Sequence, residues 1–193
     1  MKTRIQILMG AAVAALLTIS SVNVNAAVKL PAMESLTLKT DVKKVVVKGN
    51  VRVTLMQSNR EWVTMDENDL DKVSVSQFGD VLTISSNEAE PVEVIVHVND
   101  IYRIDASDKA VVNTQGNLKL QNLQIFLRDQ AVARVNTVTE SLYTLVDSDA
   151  NLVLRGSTES HTVNYAALNN VNMTKFTAAK TKKVGQINFL AMQ

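Results

Sequence analysis

From residue 41 onward the chain alternates apolar and polar positions with a period of two. The segments VKKVVVKG, NVRVTLMQ, KVSVSQF, VLTISS and VEVIVHV are rich in Val, Ile and Thr. That pattern predicts β-strands with one buried face, because successive side chains on a strand point to opposite sides. Phe78-Gly79-Asp80 separates two of these segments and predicts a tight hairpin, since Gly and Asp tolerate the backbone angles such turns require. Pro31 and Pro91 both fall between strand candidates, and no long helical periodicity is present.

After residue 100 the alternation is organised into a repeat. YRIDASDKAVV, LQIFLRDQAVA, YTLVDSDANLV and VNYAALNNVNM align with Asp108, Asp129, Asp149 and Asn169 at spacings of 21, 20 and 20. In this register Tyr102, Leu123, Tyr143 and Val163 form one inward ladder, and Ile104, Ile125, Leu145 and Tyr165 the next. A second strand per coil places Val112, Ala133, Val153 and Met173 together. Val111, Val132 and Leu152 are also apolar, so either set is open as the buried face. A fixed period of about twenty residues predicts a stack whose coils bury their apolar faces only against one another. The expected fold class is all-β, a right-handed parallel β-helix with coils of about 20 residues. Residues 41–99 are expected to cap this solenoid or to continue it as first coils, or else to form a separate sheet.

The N-terminus changes the expected compartment. Lys2 and Arg4 precede an apolar run from Ile7 to Leu17, and Val24-Asn25-Ala26 offers small residues at a cleavage position. Residues 1–26 therefore read as a signal peptide, and 27–193 as a single exported domain. An apolar run of eleven residues is shorter than the roughly 20 a membrane-spanning helix needs. Removing Lys2 and Arg4 leaves 18 basic and 19 acidic residues, a net charge of −1. Such a balance gives no electrostatic footprint for nucleic acid, and KTKK at Lys180–Lys183 reads as a solvated end. The chain has no cysteine, so neither a disulfide nor a lipoprotein anchor is expected. The expected location is the periplasm or the cell surface.

The segments VKKVVVKGNVRVTLMQSNREWVTM, LDKVSVSQFGDVLTISS, PVEVIVHVNDIYRIDASDKAVV and the coils ending LRGSTESHTVNY resemble the auto-transporter adhesin head GIN domain family (DUF2807) over about residues 41–185. The resemblance implies an all-β, β-helix-like domain outside the cytoplasm, typical of Bacteroidetes, with no assigned activity and no catalytic residues to carry over. Family members carry Ser-Gly pairs at coil turns. Here those turns read ASD, LRD, DSD and ALN, and Gly156 alone keeps an evident coil glycine.

Chemistry is sparse. Asp105, Asp108, Asp129, Asp147 and Asp149 recur near the coil turns. Stacked carboxylates suit calcium, which takes several oxygen ligands, or an acid–base pair on a glycosidic bond. Aspartate is also a preferred turn residue, because it hydrogen-bonds the local backbone; Asn169 in the fourth coil fits that role better than a charged one. His97 and His161 are the only histidines and lack metal-site spacing. No phosphate loop or nucleophile elbow occurs, and no cofactor is expected. Of the eight aromatics, Tyr102, Tyr143 and Tyr165 fall on the inward ladders and Trp62 reads as core. Phe126 has the opposite parity and is the single aromatic candidate for ligand contact. The expected function is a non-enzymatic binding or adhesion-type module whose partner is a surface polysaccharide or another envelope protein. The alternatives are a polysaccharide-processing enzyme using the stacked aspartates, and a self-associating envelope component.

Overall fold

A computed structural model describes residues 32–165 and 170–184. The expected signal peptide, residues 1–26, lies outside the described residues. Thirteen strands follow in chain order: β1 (Met33–Thr37), β2 (Lys44–Gly49), β3 (Val51–Gln57), β4 (Trp62–Asp66), β5 (Ser74–Phe78), β6 (Val81–Ser86), β7 (Val92–Val98), β8 (Arg103–Ala106), β9 (Val111–Gln115), β10 (Leu118–Leu127), β11 (Val132–Val146), β12 (Asn151–Tyr165) and β13 (Val171–Val184). A 3-10 turn at Glu67–Asp69 follows β4.

All thirteen strands belong to one mixed sheet. One arm runs β5-β6-β2-β8-β10-β11 and the other β1-β4-β7-β3-β9-β11, and the arms meet because β11 pairs with β9 through its first residues and β10 through its last. The sheet curls so that the inward faces of both arms share one core of Val, Leu, Ile and Ala. Residues 41–99 are thus part of the same sheet: β2 pairs in parallel with β8, and β3 with β9. Antiparallel pairing is confined to the N-terminal strands, in β1–β4, β4–β7 and the β5–β6 hairpin. In that hairpin Phe78 opposes Val81 across Gly79-Asp80, and Gly79 has φ +58°. A glycine at the first central position with positive φ matches a two-residue loop that follows the strand twist.

The repeat is present as parallel ladders, but its later register differs from the sequence alignment. Val132 pairs with Val111, a step of 21, whereas Val132 pairs with Asn151 and Leu123 with Leu142, steps of 19. The third segment is therefore shifted by one residue against a uniform period of twenty. A one-residue slip on a strand exchanges the two faces. The inward ladders are consequently Leu123, Leu142 and His161, and Ile104, Ile125, Thr144 and Val163. Tyr143 and Leu145, expected inside, stand half-buried on the outer face, and Tyr102 is exposed. In the second strand Val112, Ala133 and Leu152 are buried, so Val153 and Met173 are not the third and fourth members of that row. The Tyr165 side chain lies outside the described residues.

Ala110, Ala131 and Ala150, all fully buried, mark the true register at the corner where each coil turns. The Val132 N–H donates to the Ala110 carbonyl and the Asn151 N–H to that of Ala131. All three corner positions carry a small, fully buried side chain, and their spacings of 21 and 19 are present in the sequence.

Candidate functional site

This register keeps Asp108 and Asp129 in one row and moves Asp149 out of it. Asp108 and Asp129 occupy equivalent corners with φ +59°, and the third such position, at φ +58°, belongs to Ser148. Asp149 sits one residue later, beside Lys109 and Gln130 in the stack. Left-handed backbone is uncommon for residues with a Cβ, and Asp tolerates it through local hydrogen bonds. The Asp108 carboxylate accepts from the Gly49 N–H at 2.9 Å, and the Asp129 carboxylate accepts from the Asp108 N–H at 3.2 Å. Each thus ties its corner to the next coil. Asp147 accepts from the Ser148 N–H at 2.8 Å. Among the described residues no group of three or more His, Cys, Asp or Glu side chains is placed to hold a metal ion.

Asp105 lies apart from that stack, on the outer face of β8, and it is 5% exposed. Arg128 donates to one of its oxygens at 2.8 Å and Arg103 to the other at 3.0 Å, with Lys44 Nζ at 3.6 Å. Phe126, the aromatic expected outside, is half-buried beside them. The Arg103 guanidinium lies 3.7 Å over its ring, and Tyr143 packs at 5.5 Å on the next strand.

A concave site forms near the N-terminal edge of the sheet. A groove of about 680 Å³ opens between the β1–β2 connection and the β3–β4 turn, lined by Lys39, Asp41, Asn59, Arg60, Trp62 and Asn99 among others. Its size falls within the range of small-ligand clefts. The Trp62 ring stacks on His97 at 3.6 Å, their planes 12° apart. Burial lowers the His97 pKa from 6.5, which keeps the imidazole neutral and makes it an uncharged support for the indole. The sequence reading missed this site because its walls come from residues 35–41, 59–62 and 99, which only pairing across the sheet brings together.

Glu61 fixes the walls. Its carboxylate accepts from the Val42 N–H at 2.7 Å and the Asn99 N–H at 2.9 Å, clamping the β1–β2 connection to the β7–β8 turn. Gln77 bonds both the Lys39 N–H and the Thr40 carbonyl, tying that connection to the β5–β6 hairpin. Hydrogen bonds to a charged group contribute about 1.5–3 kcal/mol each. Glu61→Ala is therefore expected to lower stability by about 2 kcal/mol, measured by urea unfolding, while Glu61→Gln retains part of the clamp; equal losses in the two variants would contradict this.

A curled, all-β sheet with a groove at one end and a charged aromatic patch on its outer face is the class the geometry defines. The chain belongs to the family described as "Putative auto-transporter adhesin, head GIN domain", whose model matches residues 41–184. Among solved structures it is similar to a "putative adhesin" from Bacteroides fragilis, with TM-score 0.65, 14% identity, and 81% of this chain and 78% of that chain covered. A "putative adhesin" from Parabacteroides distasonis gives TM-score 0.56 at 13% identity over 81% and 78% of the two chains. A "putative lipid binding protein" from the same species gives 0.53 at 12% identity over 80% and 78%. These likenesses establish a shared fold. No curated protein matches the chain.

Proposed function

We propose that the protein is an exported, non-enzymatic binding module of adhesion type in the bacterial envelope, and that it takes a surface glycan in the groove at Trp62. One observation carries this reading: a groove of about 680 Å³ presents an indole backed by a neutral imidazole among amide, hydroxyl and charged side chains. Sugars are bound in this way, with ring C–H groups against an aromatic plane and hydroxyls on polar neighbours. The adhesin-type family membership supports a surface or extracellular role, as does the leader-like sequence of residues 1–26. Among the described residues no helix is long and apolar enough to cross a membrane. The parallel ladders at steps of 19 to 21 support a right-handed β-solenoid, since parallel crossovers take that hand.

A non-enzymatic role is supported by the engagement of Asp108 and Asp129 with backbone N–H groups, which suits corner-forming better than proton transfer. The test is a glycan screen on the processed protein, read by thermal unfolding. A ligand specific to the folded state adds about 2.7 kcal/mol at a hundredfold excess over Kd. The expected result is a shift with a sugar that is lost in Trp62→Ala, with no new reducing ends. Cleavage of the glycan would overturn the non-enzymatic reading. Binding that survives Trp62→Ala would remove the groove from it.

A further inference from the structure

We infer that the outer-face patch formed by Lys44, Arg103, Arg128, Phe126 and Tyr143 is a second binding site, independent of the groove, for an acidic carbohydrate whose sugars carry carboxylates. The register assembles it. Lys44, Arg103, Gln124 and Tyr143 form one row across β2, β8, β10 and β11, and Val46, Asp105, Phe126 and Leu145 form the row beside it. With strands about 4.8 Å apart, three steps from Lys44 to Tyr143 span roughly 14 Å. Arg128 follows β10 at the corner. Its in-register neighbour Asp147 is turned back onto the Ser148 N–H.

Charge is unbalanced here. Three cations face one carboxylate, in a chain whose charges otherwise nearly cancel. A single arginine or lysine would neutralise Asp105, so its charge alone does not account for three. Asp105 spends both oxygens on the two guanidinium groups, yet each arginine offers five N–H donors and gives one nitrogen to it. Arg103 Nε is buried and has no hydrogen-bond partner among the described residues. Asp105 thus serves as a buried anchor that holds the guanidinium groups in place, while the remaining donors of Arg128, whose side chain is 44% exposed, are left for an incoming anion. Planar guanidinium matches carboxylate bidentately.

The aromatic component selects a sugar over a bare anion. Phe126 is covered on one side by Arg103, which orients the guanidinium. Tyr143, tilted at 38° to Phe126 and half-buried, presents an amphipathic ring beside the charges. An acidic chain would lay the apolar C–H face of one sugar on Tyr143 and the carboxylate of a neighbouring sugar on Arg128 and Lys44. A sheet face with repeating rows suits an extended chain that crosses several strands better than a single small molecule.

The experiment titrates the processed protein with oligogalacturonate, its neutral methyl ester, and oligoglutamate of similar length, by calorimetry at low and moderate salt. Oligogalacturonate is expected to bind, more weakly as salt rises, with the other two at least about tenfold weaker, the equivalent of one charge-assisted contact. Arg128→Gln and Tyr143→Ala are each expected to weaken it about tenfold or more, whereas Trp62→Ala leaves it unchanged. Arg128 also pairs with the buried Asp105 carboxylate, so binding of each variant is measured below its own unfolding midpoint; Tyr143→Ala, which touches no charge pair, is an independent second variant. Equal binding of the methyl ester, equal binding of oligoglutamate, no binding of oligogalacturonate, or binding unmoved by both patch variants would each overturn the proposal.

Discussion

Gly156→Ala is expected to lower stability by about 3 kcal/mol or more, among the largest single effects available in this chain. Gly156 lies in β12 with φ +98°, a region that side chains with a Cβ rarely enter. It also sits directly against the neighbouring coil, so that a Cβ would collide with the Thr137 carbonyl oxygen. That carbonyl is backbone and cannot swing aside, and parallel strands must stay close to keep their ladder. Gly49 is placed in the same way, at φ +75° against the Ser86 carbonyl, and Gly49→Ala should behave alike. Gly79 separates the two causes. Its φ is +58°, but nothing lies within 4 Å of the position a Cβ would take. Gly79→Ala should therefore show only the backbone penalty, roughly 1–2 kcal/mol. Urea unfolding of the three variants checks this. Equal losses at Gly156 and Gly79 would show that coil-to-coil contact adds nothing.

The second large effect is a loss of stability in mild acid, traced to His161. This side chain is 1% exposed on the inward ladder with Leu142. Its Nε2 lies 2.9 Å from the Thr144 hydroxyl, Phe176 packs edge-on at 5.6 Å, and Nδ1 is buried without a partner among the described residues. Burial lowers its pKa from the ordinary 6.5. The unfolded chain therefore takes up a proton as pH falls through about 6.5, while the folded protein does so only at lower pH. The unfolded state binds more protons in that window, so stability rises with pH and falls on acidification. The slope for one such group reaches at most about 1.4 kcal/mol per pH unit. Denaturant unfolding between pH 7.5 and 5.5 should show this decline, and His161→Gln should flatten most of it. His97→Gln should remove less, because His97 lies on the outer face against Trp62, where burial is slighter. An unchanged slope in His161→Gln would assign the acid sensitivity elsewhere.

His161 also shows why sequence periodicity stopped short. An alignment at twenty residues puts Val163 under Tyr143 and His161 under Ser141, and so turns the wrong face of the third segment inward. The actual step of 19 brings His161 under Leu142 and Val163 under Thr144, inside the core. The same step lines the later coils with Thr137, Thr139, Thr144 and Thr158, all buried. Thr137 donates to the Leu118 carbonyl and Thr139 to the Thr158 hydroxyl, so these polar groups are satisfied inside the stack. An apolar-only search for the inward face passes over such a ladder and prefers Tyr143 and Leu145, which are apolar yet outward. Phe126 was legible as outward because its neighbours Ile125 and Leu127 are plainly core. Its partners Arg103, Asp105 and Arg128 were not legible as one cluster, since they come from three positions joined by pairing and a corner.

The sequence by itself determined the strand-rich class, the Phe78–Asp80 hairpin, the repeat near twenty residues and the family resemblance. These follow from period-two alternation, turn chemistry and spacing, which are local properties. Tertiary structure decided the register of the later coils, the placing of Ser148 at the third corner, the groove around Trp62 and the cation cluster on Asp105. Each depends on which residue of one strand lies beside which residue of another. Adjacent registers differ by a single residue in sequence but exchange inside for outside, so only the assembled backbone ladders and the small Ala110, Ala131 and Ala150 corners select among them.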